Sequence, residues 1–257
     1  MTLLAGEIYL LRLKPEDHDQ VEVYDVNTYH LLRHITVPDA RRFTDMTSCE
    51  HYRCVYIGDW YVDCIHRLDV QGTVTRWAVN DQPLSLSVNA AHNVIVTCPI
   101  VGIIKEFSSH GDLLRELKLL DDVIWPWHAI QTRSGRFIVY HGGFCDSAHR
   151  VCMMRADGRR LVHSHGGRRG SVCGQDDSLN HLVVDDNEFV FVADQFKRRV
   201  TLLSPTLEYV RQVVSRDQLM GIPHRLYLDT QQRLLYVAIC DEFKDSDDKW
   251  YVAVFSV

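Results

Sequence analysis

The sequence predicts an all-β chain: a six-bladed β-propeller of four-stranded antiparallel blades, with the first and last blades incomplete. Three observations carry this. Apolar runs ending in a small or acidic residue recur as CVYIGD (54–59), VIVTC (94–98), FIVYH (137–141) and FVFVAD (189–194), their last residues 39, 43 and 53 positions apart. A strand–glycine turn–strand unit recurs as RLDVQGTVTRW (67–77), EFSSHGDLLREL (106–117) and MRADGRRLVHS (154–164), with Gly72, Gly111 and Gly158 spaced by 39 and 47 residues. Long helical periodicity is almost absent. A period of about 45 residues holding four short strands is the unit of a radial sheet array.

Each strand role can be followed along the chain. Six second strands fall near 7–12, 54–58, 93–97, 136–140, 189–193 and 234–239, and six third strands near 21–26, 64–68, 103–107, 151–155, 199–203 and 251–256. Outer strands number five, near 31–37, 73–79, 113–119, 160–164 and 208–214. Inner strands also number five, near 45–49, 84–88, 128–132, 181–185 and 225–229. LLRELKLL (113–120) has helical propensity, but it stands in an outer-strand position and is read as strand, context overriding propensity. The first blade then lacks its inner strand and the last its outer one, so residues upstream of Met1 are expected to complete the array. The whole of 1–257 is expected to be one domain.

Composition narrows the partners. Formal charge is −6 with a pI near 6.1, which gives the molecule no general attraction to nucleic acid or anionic lipid. The apolar start MTLLAGEIYLLRL is short for a secretory segment and lacks a basic lead, and no stretch reaches the roughly 18 apolar residues of a membrane span. Eight Cys (49, 54, 64, 98, 145, 152, 173 and 240) show no paired CxxC spacing. They read mostly as small core or strand residues in a reducing, cytoplasmic compartment, while the even count leaves a secreted reading open if the sequence is a processed fragment; the protein is expected to be a monomer without cofactor.

LNHLVVDDNEFVFVADQFKRRVTLLS (179–204) resembles an NHL repeat, an inner strand ending in Val-Asp, then Ala-Asp, then Asn-x-Arg-Ile/Val. Asp185, Ala193, Asp194, Arg199 and Val200 match that pattern, while Lys197 replaces the Asn. YIGDWYVDCIHRLD (56–69) is a looser copy with Cys64 at the Arg position, and RLYLDTQQRLLYVAIC (225–240) keeps only Asp229. The resemblance implies a six-bladed array that binds protein or RNA. It does not extend to ubiquitin-ligase activity, since the RING, B-box and coiled-coil segments that accompany such repeats are not in the sequence.

In such an array the second-to-third connections share a face with the links between blades. Trp60, Tyr61, Trp125, Trp127, Phe144 and Phe196 fall there, with Arg168, Arg169, Arg198 and Arg225 among the basic residues. Clustered aromatics suit recognition because they bury area at low entropy cost. Interleaved Arg also suits single-stranded RNA, through ring stacking and phosphate contacts. Acidic runs on the same face (EDHD, DEFKDSDD) favour a protein or peptide partner, so the expected function is non-catalytic recognition, with RNA binding as the alternative.

A metal-dependent hydrolase is the third reading. His128 and His181 each precede an inner-strand end by four residues, a slot filled elsewhere by Arg225, Ser85 and, in this alignment, Met46. Two His leave a zinc set incomplete unless His224 or Asp45 joins, and the slots lack the oxygen donors a Ca²⁺ wants. No metal and no catalytic residue is therefore assigned. His141 and His165 precede Gly-Gly pairs, but without a GxSxG nucleophile elbow these read as turn glycines.

Overall fold

The computed structural model describes residues 1–12, 19–142, 149–166, 179–195, 197–241 and 250–257. These form six antiparallel sheets, each a simple meander. The first holds β1 (Thr2–Leu4), β2 (Glu7–Arg12), β3 (Gln20–Asp25) and β4 (Leu31–Thr36); the second holds β5 (Phe43–Cys49), β6 (Cys54–Asp59), β7 (Cys64–Asp69) and β8 (Val74–Ala78). The third comprises β9 (Ser85–Val88), β10 (Val94–Cys98), β11 (Ile103–Phe107) and β12 (Leu113–Lys118). The fourth comprises β13 (Pro126–Gln131), β14 (Phe137–His141), β15 (Arg150–Met154) and β16 (Leu161–Gly166). The fifth runs β17 (Leu179–Val184), β18 (Val190–Asp194), β19 (Arg199–Leu203) and β20 (Tyr209–Val214), and a one-turn helix α1 (Arg216–Leu219) follows it. The sixth has three strands, β21 (Ile222–Asp229), β22 (Leu234–Cys240) and β23 (Trp250–Ser256). This is the connectivity of a six-bladed β-propeller. Contacts divide the chain into two compact units of three sheets, Met1–Leu119 and Leu120–Val257.

Within each unit the core lies between neighbouring sheets. In the first, Leu4, Val21 and Val23 pack on Phe43, Val55 and Ile57, and Tyr56 and Ile65 pack on Val94, Val96 and Phe107. In the second, Ile138, Tyr140 and Val151 meet Leu182 and Val192, and Phe191 and Val200 meet Leu226, Leu235 and Val237. The second strands β6, β10, β14 and β18 are buried at every residue, because each is covered on both faces and flanked on both edges. That is why they read in sequence as continuous apolar runs rather than alternating ones. Turns follow from acceptors placed at strand ends. Asp69 Oδ1 accepts the N–H of Gln71 (3.0 Å) and Thr73 (2.8 Å), and Asp185 Oδ1 those of Asn187 (2.9 Å) and Phe189 (2.8 Å).

The segment LLRELK is indeed strand, paired antiparallel to β11. The last blade has three strands among the described residues, as expected. The first is complete, contrary to expectation: Thr2–Leu4 pairs with β2 through a two-residue turn, Leu4 opposite Glu7. Ala5 and Gly6 both have positive φ, 52° and 78°, the geometry of a tight hairpin turn. Three residues and an Ala-Gly turn give too little pattern to recognise in sequence.

Candidate functional site

The expected loop-face residues are placed unequally. Tyr61, between β6 and β7, is 70% exposed, and its neighbour Val62 is also exposed. In the next sheet Ile100 and Val101 occupy the same connection and are exposed too, an apolar pair that the sequence reading passed over for want of a ring. Trp60 is half-buried, its backbone N–H donating to Arg42 O at 3.0 Å. Trp127 lies in β13, packs against the fourth- and fifth-sheet core and donates from Nε1 to Gly142 O at 2.7 Å. Trp125 and Arg198 are half-buried at positive-φ positions, 49° and 48°. Arg225 sits in the inner strand β21, its Nη1 donating to His224 O at 3.1 Å. Phe144, Arg168, Arg169 and Phe196 lie outside the described residues.

Register fixes which side chains share the inner-strand slot. Met46 pairs with Ile57 as Ala129 pairs with Val139 and Leu182 with Val192, so the slot one residue earlier holds Asp45, Ser85, His128, His181 and Arg225. The second-sheet slot is therefore Asp45 and not Met46, one residue earlier than the spacing predicts, and a carboxylate does occupy it. The cause is the irregularity between Phe43 and Met46, where Thr44 Oγ1 bonds Gly58 O (3.2 Å) and Pro83 O (2.9 Å).

Three of these slots share a second property. Asp45 Oδ2 accepts the N–H of Leu86 at 3.0 Å, His128 Nδ1 that of Leu182 at 3.3 Å, and His181 Nδ1 that of Leu226 at 3.3 Å. In every case the donor follows the slot residue of the next sheet, so the side chain fastens one inner strand to its neighbour. His128 and His181 are both buried, stacked with ring centroids 4.1 Å apart and planes 23° apart. One nitrogen from each ring lies within 4.8 Å of the other. Burial, then the neighbouring His128 and Arg225, hold the His181 pKa well below the usual imidazole range. A neutral imidazole is the form that binds transition metals. With Nδ1 accepting an N–H, the ring proton sits on Nε2. Taking a metal at Nε2 would require that proton to move to Nδ1, which opens the long Nδ1 contact. His224, the extra residue at the irregularity between Pro223 and Arg225, turns its ring to Trp250, with centroids 4.8 Å apart.

A third set of buried polar groups lies where four of the second strands, β6, β10, β14 and β18, end. Asp59 is fully buried and accepts the N–H groups of Arg41 (2.6 Å), Arg42 and Tyr61 (both 3.1 Å), with His66 Nε2 at 3.6 Å. Asp194 takes the equivalent place, accepting from Lys197 N at 3.2 Å and Arg199 Nε at 3.1 Å. Lys105, buried beside the β10 terminus, meets Asp81 (2.7 Å), Glu116 (3.1 Å) and Val79 O (2.8 Å). In the fourth sheet His141 Nε2 and Cys152 Sγ are 3.1 Å apart. Burial drives His141 down to about 4 and Cys152 up to about 12, while Cys64, beside His66, rises to about 11. Thiols so hard to ionise are not nucleophiles at neutral pH, so these Cys–His contacts are structural.

No protein-family model and no curated protein matches the sequence. Solved structures do. A Bacteroides caccae protein of unknown function aligns over 95% of this chain and 89% of its own, with 12% identity and a TM-score of 0.69. A hydrazine synthase from Kuenenia stuttgartiensis aligns over 86% and 67% (14% identity, TM-score 0.63), and a streptogramin B lyase over 87% and 71% (12%, 0.59). At such identities the likeness is one of fold, and the chain takes its place among six-bladed propellers. No helix among the described residues is long and apolar enough to cross a membrane.

Proposed function

We propose that the protein is a divalent-metal-dependent hydrolase of the propeller type, with its metal held by His128 and His181. The observation that carries this is the pair itself: two buried histidines in adjacent inner-strand slots, stacked at 4.1 Å, with His181 held neutral. Nitrogen donors suit Zn²⁺, Fe²⁺ or Co²⁺ rather than a hard cation. A metal so held would lower the pKa of a bound water to about 7, which is the chemistry that hydrolysis at neutral pH needs. Titration of chelator-treated protein with Co²⁺, followed by visible absorption, should show saturable binding that is flat with pH near neutrality, because His181 is already neutral, and that is lost only in acid. His181→Ala should weaken it by at least about 100-fold, the scale expected for removing a ligand rather than its support. His128→Ala should do the same, with the circular dichroism unchanged. Equal affinity in wild type and both histidine variants refutes the assignment.

A second reading, protein or peptide recognition by the loop face, is favoured by the exposed apolar side chains of Tyr61, Val62, Ile100 and Val101 on neighbouring sheets of the first unit. An anchor residue there is worth about 2 kcal/mol. Tyr61→Ala should therefore reduce capture of a partner from cell extract by more than tenfold without changing the melting temperature. Identical recovery removes the reading. Kinship with NHL repeats is supported by the fifth sheet, where the matching residues Asp185, Asp194 and Arg199 carry the turn and the buried ion pair.

A further inference from the structure

The sixth sheet is built like the others except at its outer edge. In the five complete sheets the third strands β3, β7, β11, β15 and β19 each have at least three fully buried residues, and β19 is buried throughout. The corresponding strand β23, Trp250–Ser256, has none. It pairs with β22 along all seven residues, and among the described residues no strand pairs with its other edge. Its odd-numbered residues Tyr251, Ala253 and Phe255 pack on the core, and they too are only partly covered. An open edge exposes a row of backbone N–H and C=O groups that pair with any suitable extended chain. Edges are ordinarily guarded by charge. The outer strands β4, β8, β12 and β20 carry Arg33, Arg76, Arg115 and Arg211, and β16 carries His163 and His165. In contrast, β23 reads WYVAVFS and has no charged residue, histidine or proline.

The repeat itself shows what covers this position. Five times over, it is an antiparallel strand of five or six residues that opens on Leu, Val or Tyr. Where the third residue of that strand is Arg33 or Arg115, it meets Glu7 or Glu106 of its own sheet at 2.6 and 2.5 Å. Neither β22 (LLYVAIC) nor β23 contains an acid, so a basic residue would find no partner there. We propose that the outer edge of β23 is a strand-addition site, which takes an extended, uncharged, aliphatic-rich segment of a partner polypeptide as the fourth strand of the sixth sheet. Main-chain hydrogen bonds would supply affinity, and the half-covered faces of β23 the preference for alternate apolar side chains.

The probe is a terminally blocked, fluorescent peptide with the sequence of residues 209–214, Arg211 exchanged for threonine. Fluorescence anisotropy should show saturable binding, and hydrogen exchange of the β23 amides should slow when the peptide is present. Two further peptides, N-methylated at alternate amides in opposite phase, separate strand addition from simple apolar adhesion. One phase should lose at least about tenfold in affinity, the loss of one or two backbone hydrogen bonds, and the other should bind as before. The proposal fails if no peptide binds or if both phases are equally affected. It also fails if β23 amides in the free protein are already as protected as those of β19. A protein that self-associates at micromolar concentration, and becomes monomeric as Val254→Lys, would give the edge to a second copy and overturn it too.

Discussion

Replacing Asp59 by alanine is expected to destabilise the protein by about 3 kcal/mol, although the residue touches nothing that reacts. Its carboxylate answers three backbone N–H groups, of Arg41, Arg42 and Tyr61, from a fully buried position. Removing a buried charged acceptor costs about 1–3 kcal/mol for each donor left without a partner, and water reaching the exposed Arg41 and Arg42 offsets part of that. For a chain of this size the change corresponds to about 6–12 °C in melting temperature. Asp157→Ala removes an exposed turn acceptor of Arg159 N (3.0 Å) and serves as control, at no more than about 0.5 kcal/mol. The pH dependence has a definite sign. Burial opposes ionisation of Asp59, but His66 and the three N–H groups outweigh it and hold the folded pKa below the ordinary carboxylate value. A depressed pKa adds stability that is present above the unfolded value, about 3.9, and lost as pH falls through the folded one. The gap between wild type and Asp59→Ala should therefore narrow in acid. A gap below 1 kcal/mol at pH 7, or one that persists unchanged at low pH, would mean that the carboxylate is not the anchor.

The second large effect is expected at Gly111. Its φ is +95°, and an added Cβ would lie 2.5 Å from Cγ of Trp77. The indole cannot retreat, because it is wedged against Tyr56 and Phe107 with ring centroids 5.9 and 6.4 Å away. Gly111→Ala combines backbone strain of about 1–2 kcal/mol with overpacking of about 1–3 kcal/mol. Gly72 makes the same kind of turn, with φ +89° and nothing within 4 Å, so Gly72→Ala should show the backbone part alone. Urea unfolding of the two variants should separate them by at least about 1 kcal/mol, with Trp77 emission shifted only in Gly111→Ala. Equal midpoints would refute the packing argument.

The two glycines also mark how far the sequence could be read. As turn signals they are identical; what divides them is a tryptophan of the neighbouring sheet. The blade pattern was legible because burial on both faces writes continuous apolar runs such as VIVTC and FVFVAD, and because turn acceptors are Asp, Asn or Ser. An outer strand missing from the sixth sheet could likewise be counted. By contrast, β1 is three residues long behind an Ala-Gly turn and left no periodicity to detect. Asp45 was displaced by one position because Thr44 takes up two carbonyls and shifts the register. His128 and His181 were found by their distance from the strand end, but their stacking, and the N–H groups they accept, depend on how adjacent inner strands meet. Ile100 and Val101 carry no ring to mark them in sequence, and only their exposure in the folded chain sets them apart from other loop aliphatics.

The fastening of inner strands has a consequence for how the second unit comes apart. Detaching the inner strand of the fifth sheet leaves His128 without its donor on one side and Leu226 without its acceptor on the other. Three sheets are thus linked in series by two buried hydrogen bonds, and opening any one raises the free energy of the next. In a repeat protein such nearest-neighbour coupling sets the length over which unfolding is cooperative. The fourth to sixth sheets should behave as one cooperative block, and the two histidines best suited to chemistry are also the rivets that give the block its extent.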